Sequence, residues 1–296
     1  MTMKESRAVW INPSTRMLKM PGVVCGGIRA GTEKIRNGYG NGDCIYFDFE
    51  HLVFAVADGS ERFPSASRDL LHRLSENLSL SGSPDTVRGW LDLMNDKIYA
   101  GQKYEHKTTF SCVAILHEDE ELRLIISHGG DSAVTVMDGM TGRICRQTGR
   151  DMNFAGRSRE IADVTQYSLS DRNSRVIVST DGFEDVWRFC VRRALLGGAR
   201  NAFAQCPVDA ACHMIHVILE ENRDKFDYDD VGWIILDPNR TERVSGTVVM
   251  MGGTRPSEEK QYLSEFRSGT YDRWVSDDRW NEYADLFAGA GIWVTA

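Results

Sequence analysis

Residues 52–59 read Leu-Val-Phe-Ala-Val-Ala-Asp-Gly, six apolar side chains in succession followed by an aspartate and a glycine. A run this apolar and this short reads as a central, buried strand rather than the half-wet strand that alternates apolar and polar residues. Cys44 to Phe49 form a second apolar run, separated from the first only by Glu50 and His51, which is the pattern of a hairpin of adjacent strands. The same grammar returns at residues 176–182, Val-Ile-Val-Ser-Thr-Asp-Gly, and in reverse order at Asp229-Asp230, which precede the apolar run from Val231 to Leu236. Acids therefore recur where buried strands begin or end.

Outward from Gly59 the period changes. Leu70, Leu71, Leu74 and Leu78 stand at helical spacing after Pro64, and Pro84 opens a second such stretch through Val87, Leu91, Met94 and Ile98. Short strands follow at 110–116, 122–127 and 133–137, the last closed by the turn Asp138-Gly139. Residues 141–174 are rich in Arg, Ser and Asp with weak periodicity and read as a long surface connection. Helical spacing resumes at Val186, Phe189, Cys190, Arg193 and Leu196, and again over Val208 to Leu219. Strands in sequential runs with helices inserted in pairs predict an α+β layered protein, not regular βαβ alternation. Residues 1–21 read as an irregular N-terminal segment and 22–238 as the domain. The domain opens with seven glycines between Gly22 and Gly42, a loop with at most short strands. Residues 239–296, with Trp274, Trp280 and Trp293, read as a C-terminal appendage packed on the domain.

The chain has 43 acidic against 35 basic residues over 296 positions, a formal charge of −8, which argues against nucleic acid or an anionic membrane as partner. Seven cysteines without a C-x-x-C pair suit reduced, scattered thiols. Near the N-terminus Met17, Leu18, Met20 and Val23 are interrupted by Lys19, Pro21 and Gly22, which leaves neither a signal-peptide core nor a spanning segment. A soluble, cytoplasmic protein is the expectation.

Carboxylates at strand ends can point into a shared cleft, and hard cations such as Mg²⁺ or Mn²⁺ prefer carboxylate, carbonyl and water oxygens. Asp43, Asp58, Asp181 and Asp229 fit that requirement. The glycine after Asp58 removes a Cβ, so its carbonyl could approach an ion. Taken singly, each Asp-Gly is also an ordinary turn signal, and local spacing leaves Asp58 and Asp181 open between turn and ligand. Both end central strands and are followed by a helix, whereas Asp138-Gly139 reads as a turn.

The ordered segments Asn41-Gly42-Asp43, residues 54–59 (Phe-Ala-Val-Ala-Asp-Gly), Gly130-Asp131-Ser132, residues 176–182 with Asp185, and Asp229-Asp230-Val231 resemble the signature of metal-dependent protein phosphatases of the 2C type. The resemblance covers about residues 22–237. It implies a four-layer α-β-β-α sandwich, two antiparallel sheets flanked by helices, with two Mn²⁺ or Mg²⁺ ions at the edge of the paired sheets. Asp58 would bridge both ions and Gly59 would lend its carbonyl. Asp181 and Asp229 would hold one ion, Asp43 would order the other ion's water shell, and Asp131 with Asp181 would take a third, weaker ion. The implied activity is hydrolysis of phosphoserine or phosphothreonine in a protein substrate by metal-activated water, with no phosphoenzyme.

The chain departs from that pattern at several positions. Gly42 stands where the family has Glu, Ser60 where some members have His, Ala133 where Arg is usual, and Gly232 where Thr is usual. The arginine that binds substrate phosphate normally falls at Gly38, and Arg36 is the nearest replacement, with Lys34 beside it. These departures motivate two competing expectations: a pseudophosphatase acting as a binding or regulatory module, and a two-metal hydrolase of small phosphate esters. Neither the substrate nor the oligomeric state is legible.

Overall fold

The apolar runs that meet acids are strands covered on both faces. In β4 (Asp43–Asp48) and β5 (Val53–Asp58), Ile45, Phe47, Phe54 and Val56 point to one side, where they share a layer with Val176, Val178, Ile234 and Leu236. Cys44, Tyr46, Val53, Ala55 and Ala57 point to the other, against Leu70, Leu71, Leu74 and Leu78. Successive side chains of a strand alternate faces, so a strand sandwiched between two apolar layers must be apolar throughout. At roughly 1.5–3 kcal/mol for each large side chain removed from water, these strands anchor the molecule.

The computed structural model describes residues 9–12, 16–32, 41–118, 121–169, 173–192, 203–222, 225, 227–253 and 293–295. Among these, fourteen strands form two antiparallel sheets of seven. The first runs, in spatial order, β1 (Trp10–Asn12), β2 (Met17–Met20), β3 (Val24–Arg29), β12 (Val231–Leu236), β11 (Ser174–Ser179), β8 (Ala133–Asp138) and β9 (Ile144–Gln147). The second runs β10 (Asp163–Leu169), β7 (Glu121–Gly129), β6 (Phe110–Glu118), β5, β4, β13 (Val248–Gly252) and β14 (Trp293–Thr295). Helix α1 (Ala66–Ser81) and α2 (Val87–Leu93, continued to Tyr99 by a π-helical turn) cover the second sheet. Helices α3 (Gly182–Arg192) and α4 (Val208–Asn222) cover the first. The layers are α-β-β-α, as expected from the resemblance.

Three regions depart from the sequence reading. Residues 24–29, expected as loop, are the central strand β3. Its glycines are there because aromatic rings fill their side-chain space: a Cβ on Gly26 would lie 2.6 Å from the Phe47 ring, and one on Gly27 would lie 2.5 Å from the indole of Trp233. Residues 141–174, expected as a surface connection, contain β9 and β10, whose mixed exposure follows from their place at the two sheet edges. The sheets also extend past residues 21 and 238, through β1 and β2 on one side and β13 and β14 on the other. Trp274 and Trp280 lie outside the described residues.

Candidate metal centre and substrate cleft

Strand order decides where the acids meet. Asp43 and Asp58 are cross-strand partners at the mouth of the β4–β5 hairpin, and Ser179 pairs with both Trp233 and Ala133. Asp181, Asp229 and Asp131 therefore collect around the same end of the first sheet. Asp58, Gly59, Asp131, Asp181 and Asp229 all line one cleft of about 840 Å³. Asp43 lies beneath it, 1% exposed.

Each acid is held by neighbours. The Asp58 N–H donates to Thr109 Oγ1 at 2.9 Å and its carbonyl accepts from the Thr109 N–H, also at 2.9 Å, which fixes the backbone on both sides of the carboxylate. Thr180 donates its hydroxyl to Asp43 Oδ2 at 2.6 Å and accepts from the Gly232 N–H at 2.8 Å. A Cβ on Gly232 would meet Ile45 at 2.9 Å. The Asp185 carboxylate accepts from the Asp229 N–H. Asp230 turns away from the cleft and clamps two loops, accepting from Gly31 N–H and Gly42 N–H at 2.6 Å each. Sequence reasoning missed Asp230, Thr109 and Thr180 as supports, although the Asp229-Asp230 doublet was in view.

Gly42 has a structural cause. A Cβ there would stand 2.2 Å from the Gly59 carbonyl oxygen and 3.2 Å from Asp58 Oδ1, so the close packing of these two backbones forbids a glutamate at 42 without movement. The Gly59 N–H in turn donates to the Gly42 carbonyl at 2.8 Å.

Burial raises the Asp131 carboxyl above its ordinary value of 3.8, with the charges of Asp229 and Asp151 adding to the rise and Arg150 opposing it. Asp185 is raised for the same leading reason, again with Asp229 contributing. Carboxylates crowd here, and the donor set, all hard oxygens, suits Mg²⁺ or Mn²⁺ in kind. Among the described residues no three His, Cys, Asp or Glu side chains are drawn together closely enough to hold an ion. The cleft also carries Arg62, Lys107 and Arg157, from three loops distant in sequence, which no local pattern could have brought together. Arg36 and Lys34 lie outside the described residues. His128 is 3% exposed and bonded to Ser111 Oγ at 3.0 Å and to the Gly149 carbonyl at 2.5 Å, a structural role.

Two antiparallel sheets with helices on both outer faces and an acid-lined cleft at one end have the fold of the serine/threonine phosphatases of the PP2C type. The crystal structure of the serine/threonine phosphatase Stp1 from Staphylococcus aureus aligns with TM-score 0.54 at 14% identity, covering 78% of this chain and 98% of that one. That of a bacterial serine phosphatase aligns with TM-score 0.52 at 14% identity, covering 72% and 96%. No family model matches the sequence, and no curated protein matches it.

Proposed function

We propose that this chain is a metal-dependent phosphatase acting on phosphoserine or phosphothreonine in protein substrates. The observation that carries the proposal is that Asp58, Asp131, Asp181 and Asp229 line one cleft of a PP2C-type sandwich, with Asp43 buried beneath them. Asp58 and Asp181 are the proposed central ligands of Mn²⁺ or Mg²⁺, joined by Asp229 and the Gly59 carbonyl, with Asp43 ordering water and Asp131 taking a weaker ion. When bound, these cations supply the charge that activates water and offsets charge on the phosphoryl oxygens. The protein's own part is to hold the acids: Thr109 fixes the Asp58 backbone, Asp185 braces that of Asp229, and Thr180 orients the Asp43 carboxylate. On this reading water is the nucleophile and no protein nucleophile is required.

Purified protein is expected to hydrolyse p-nitrophenyl phosphate with added Mn²⁺, to stop with chelator, and to lose roughly a hundredfold or more in rate on Asp58→Asn. Calorimetric titration of the same protein should show Mn²⁺ binding that Asp58→Asn weakens. Turnover that survives both chelator and Asp58→Asn would overturn the proposal. A chain that binds no Mn²⁺ at millimolar concentration fits the binding-module reading instead, which the Gly42–Gly59 contact favours because it displaces the family's Glu.

A further inference from the structure

Three loops form one wall of the cleft, and backbone hydrogen bonds stitch them together. Ser60 N–H donates to the Lys107 carbonyl at 2.9 Å, Thr108 and Ala155 exchange bonds at 3.1 and 3.0 Å, and Glu105 N–H donates to the Gly156 carbonyl at 3.0 Å. The Phe63 ring stacks on His106 with centroids 4.0 Å apart. Glu105 sits in left-handed backbone, φ 69°, a conformation that costs a non-glycine residue and persists only where surroundings over-determine it. The wall is therefore preorganised.

This wall presents Arg62, Lys107 and Arg157, all exposed, together with Tyr104, which is 80% exposed. Elsewhere on the surface, arginines find acids: Arg88 with Asp92 at 2.9 Å, Arg123 with Glu121 at 3.2 Å, Arg150 with Glu184 at 3.1 Å and Arg188 with Glu184 at 2.9 Å. Among the described residues the three cations of the wall make no ion pair, although Glu61 and Glu105 stand on the same loops. The wall holds three cations against Glu61 and Glu105, a positive excess confined to these loops while the strand ends of the same cleft are acidic, so the wall is the part of the cleft suited to an anionic side chain. The cleft, at about 840 Å³, is larger than one phosphorylated side chain requires, and an extended peptide advances about 3.3 Å per residue, so neighbours of the phosphorylated residue reach the wall.

We infer, on the phosphatase reading of the cleft, that Arg62, Lys107 and Arg157 dock acidic residues flanking the phosphorylated side chain, with Tyr104 as an apolar rest for the peptide, so that the substrates are acidic phosphopeptide segments. The acids of the strand ends serve the phosphoryl group and the basic wall serves the sequence around it. This division places specificity on loops and chemistry on strands.

The test is fluorescence anisotropy on the protein with Mn²⁺ present, with labelled serine peptides, which are the products of hydrolysis and are not turned over, that differ only in flanks of Asp and Glu or of Ser and Gln. At low ionic strength the acidic peptide is expected to bind about tenfold more tightly, with the difference shrinking as salt screens it. Arg62→Ala, Lys107→Ala and Arg157→Ala combined should remove the difference while the melting temperature is retained. Arg62→Glu with Lys107→Glu should turn the preference toward Lys-flanked peptide. Equal affinities in the wild type, a preference that survives the triple substitution, or no binding of either peptide would overturn the docking role. Hydrolysis of p-nitrophenyl phosphate, which has no flanks, decides the phosphatase reading separately: hydrolysis without flank preference sinks only the docking role, and flank preference without hydrolysis sinks only the catalytic one.

Discussion

Asp138-Gly139 and Asp181-Gly182 are the same dipeptide at the ends of two neighbouring strands, yet they do different things. β8 and β11 are antiparallel, with Ser174 opposite Asp138, so the two steps finish at opposite ends of the sheet. Both glycines are forced by close approach: a Cβ on Gly139 would lie 1.9 Å from the Asn173 carbonyl oxygen, and one on Gly182 would lie 2.1 Å from that of Asp230. The glycine thus carries no information about function. The aspartates differ: Asp138 Oδ1 accepts from the N–H groups of Met140 and Thr141 at 2.8 and 2.9 Å in an exposed turn, whereas Asp181 lines a cleft with three other aspartates. What distinguishes a site from a turn is which other strands end beside it.

The largest effect expected from breaking the cleft end comes from Asp230→Asn. Asp230 is 1% exposed and each of its oxygens accepts a backbone N–H, from Gly31 and Gly42. Hydrogen bonds to a charged acceptor are worth roughly 1.5–3 kcal/mol each, and an amide offers only one acceptor oxygen, so a loss of about 3 kcal/mol is expected. Urea unfolding should show it as a lowered midpoint with the slope unchanged. A loss under about 1 kcal/mol would show that Asp230 is not the clamp of this end.

The same contrast explains what the sequence made legible. The doubly covered strands β4, β5, β11 and β12 were plain because both faces had to be apolar. The candidate acids were less plain: spacing left Asp58 and Asp181 open between turn and ligand, and only the ordered resemblance singled them out together with Asp43 and Asp229. β3 was hidden because Gly26 and Gly27 yield their space to Phe47 and Trp233, a packing fact between residues far apart in the chain. β9 and β10 were hidden because edge strands are half wet and lose their apolar signature. Asp229 was singled out, but the role of Asp230 beside it was hidden, since only the folded loops bring its carboxylate to Gly31 and Gly42. Arg62, Lys107 and Arg157 left no local mark, because their meeting depends on backbone bonds between three loops.

A smaller effect sharpens the contrast at Gly42. If the chain merely lacked a useful carboxylate there, Gly42→Glu would restore the family's residue and tighten Mn²⁺ binding. The Gly59 carbonyl oxygen would be 2.2 Å from the new Cβ, and the contact is with backbone, which cannot rotate away. Forcing atoms into a packed site costs typically 1–3 kcal/mol, and a drop of that size in unfolding free energy is expected, without a gain in Mn²⁺ affinity by calorimetry. Tighter Mn²⁺ binding at unchanged stability would mean that the loop yields easily and that the departure at 42 is functional rather than steric.

The smallest effect belongs to the turn. Hydrogen bonds from the Thr141 and Met140 backbones hold the Asp138 carboxyl below its ordinary value of 3.8. A group whose folded pKa is depressed adds stability that is present above the unfolded value and lost as pH falls through the folded one. Asp138→Asn keeps an acceptor oxygen for the turn and removes the titration. The wild type should therefore be slightly the more stable at neutral pH, and the two unfolding midpoints should converge as pH is lowered below about 3.8. Hydrolysis of p-nitrophenyl phosphate should be the same in both, since Asp138 lies at the far end of the strand paired with β11. A loss of turnover in Asp138→Asn would erase the distinction between the two ends, because an acid satisfied within its own turn would then be acting across the length of the sheet.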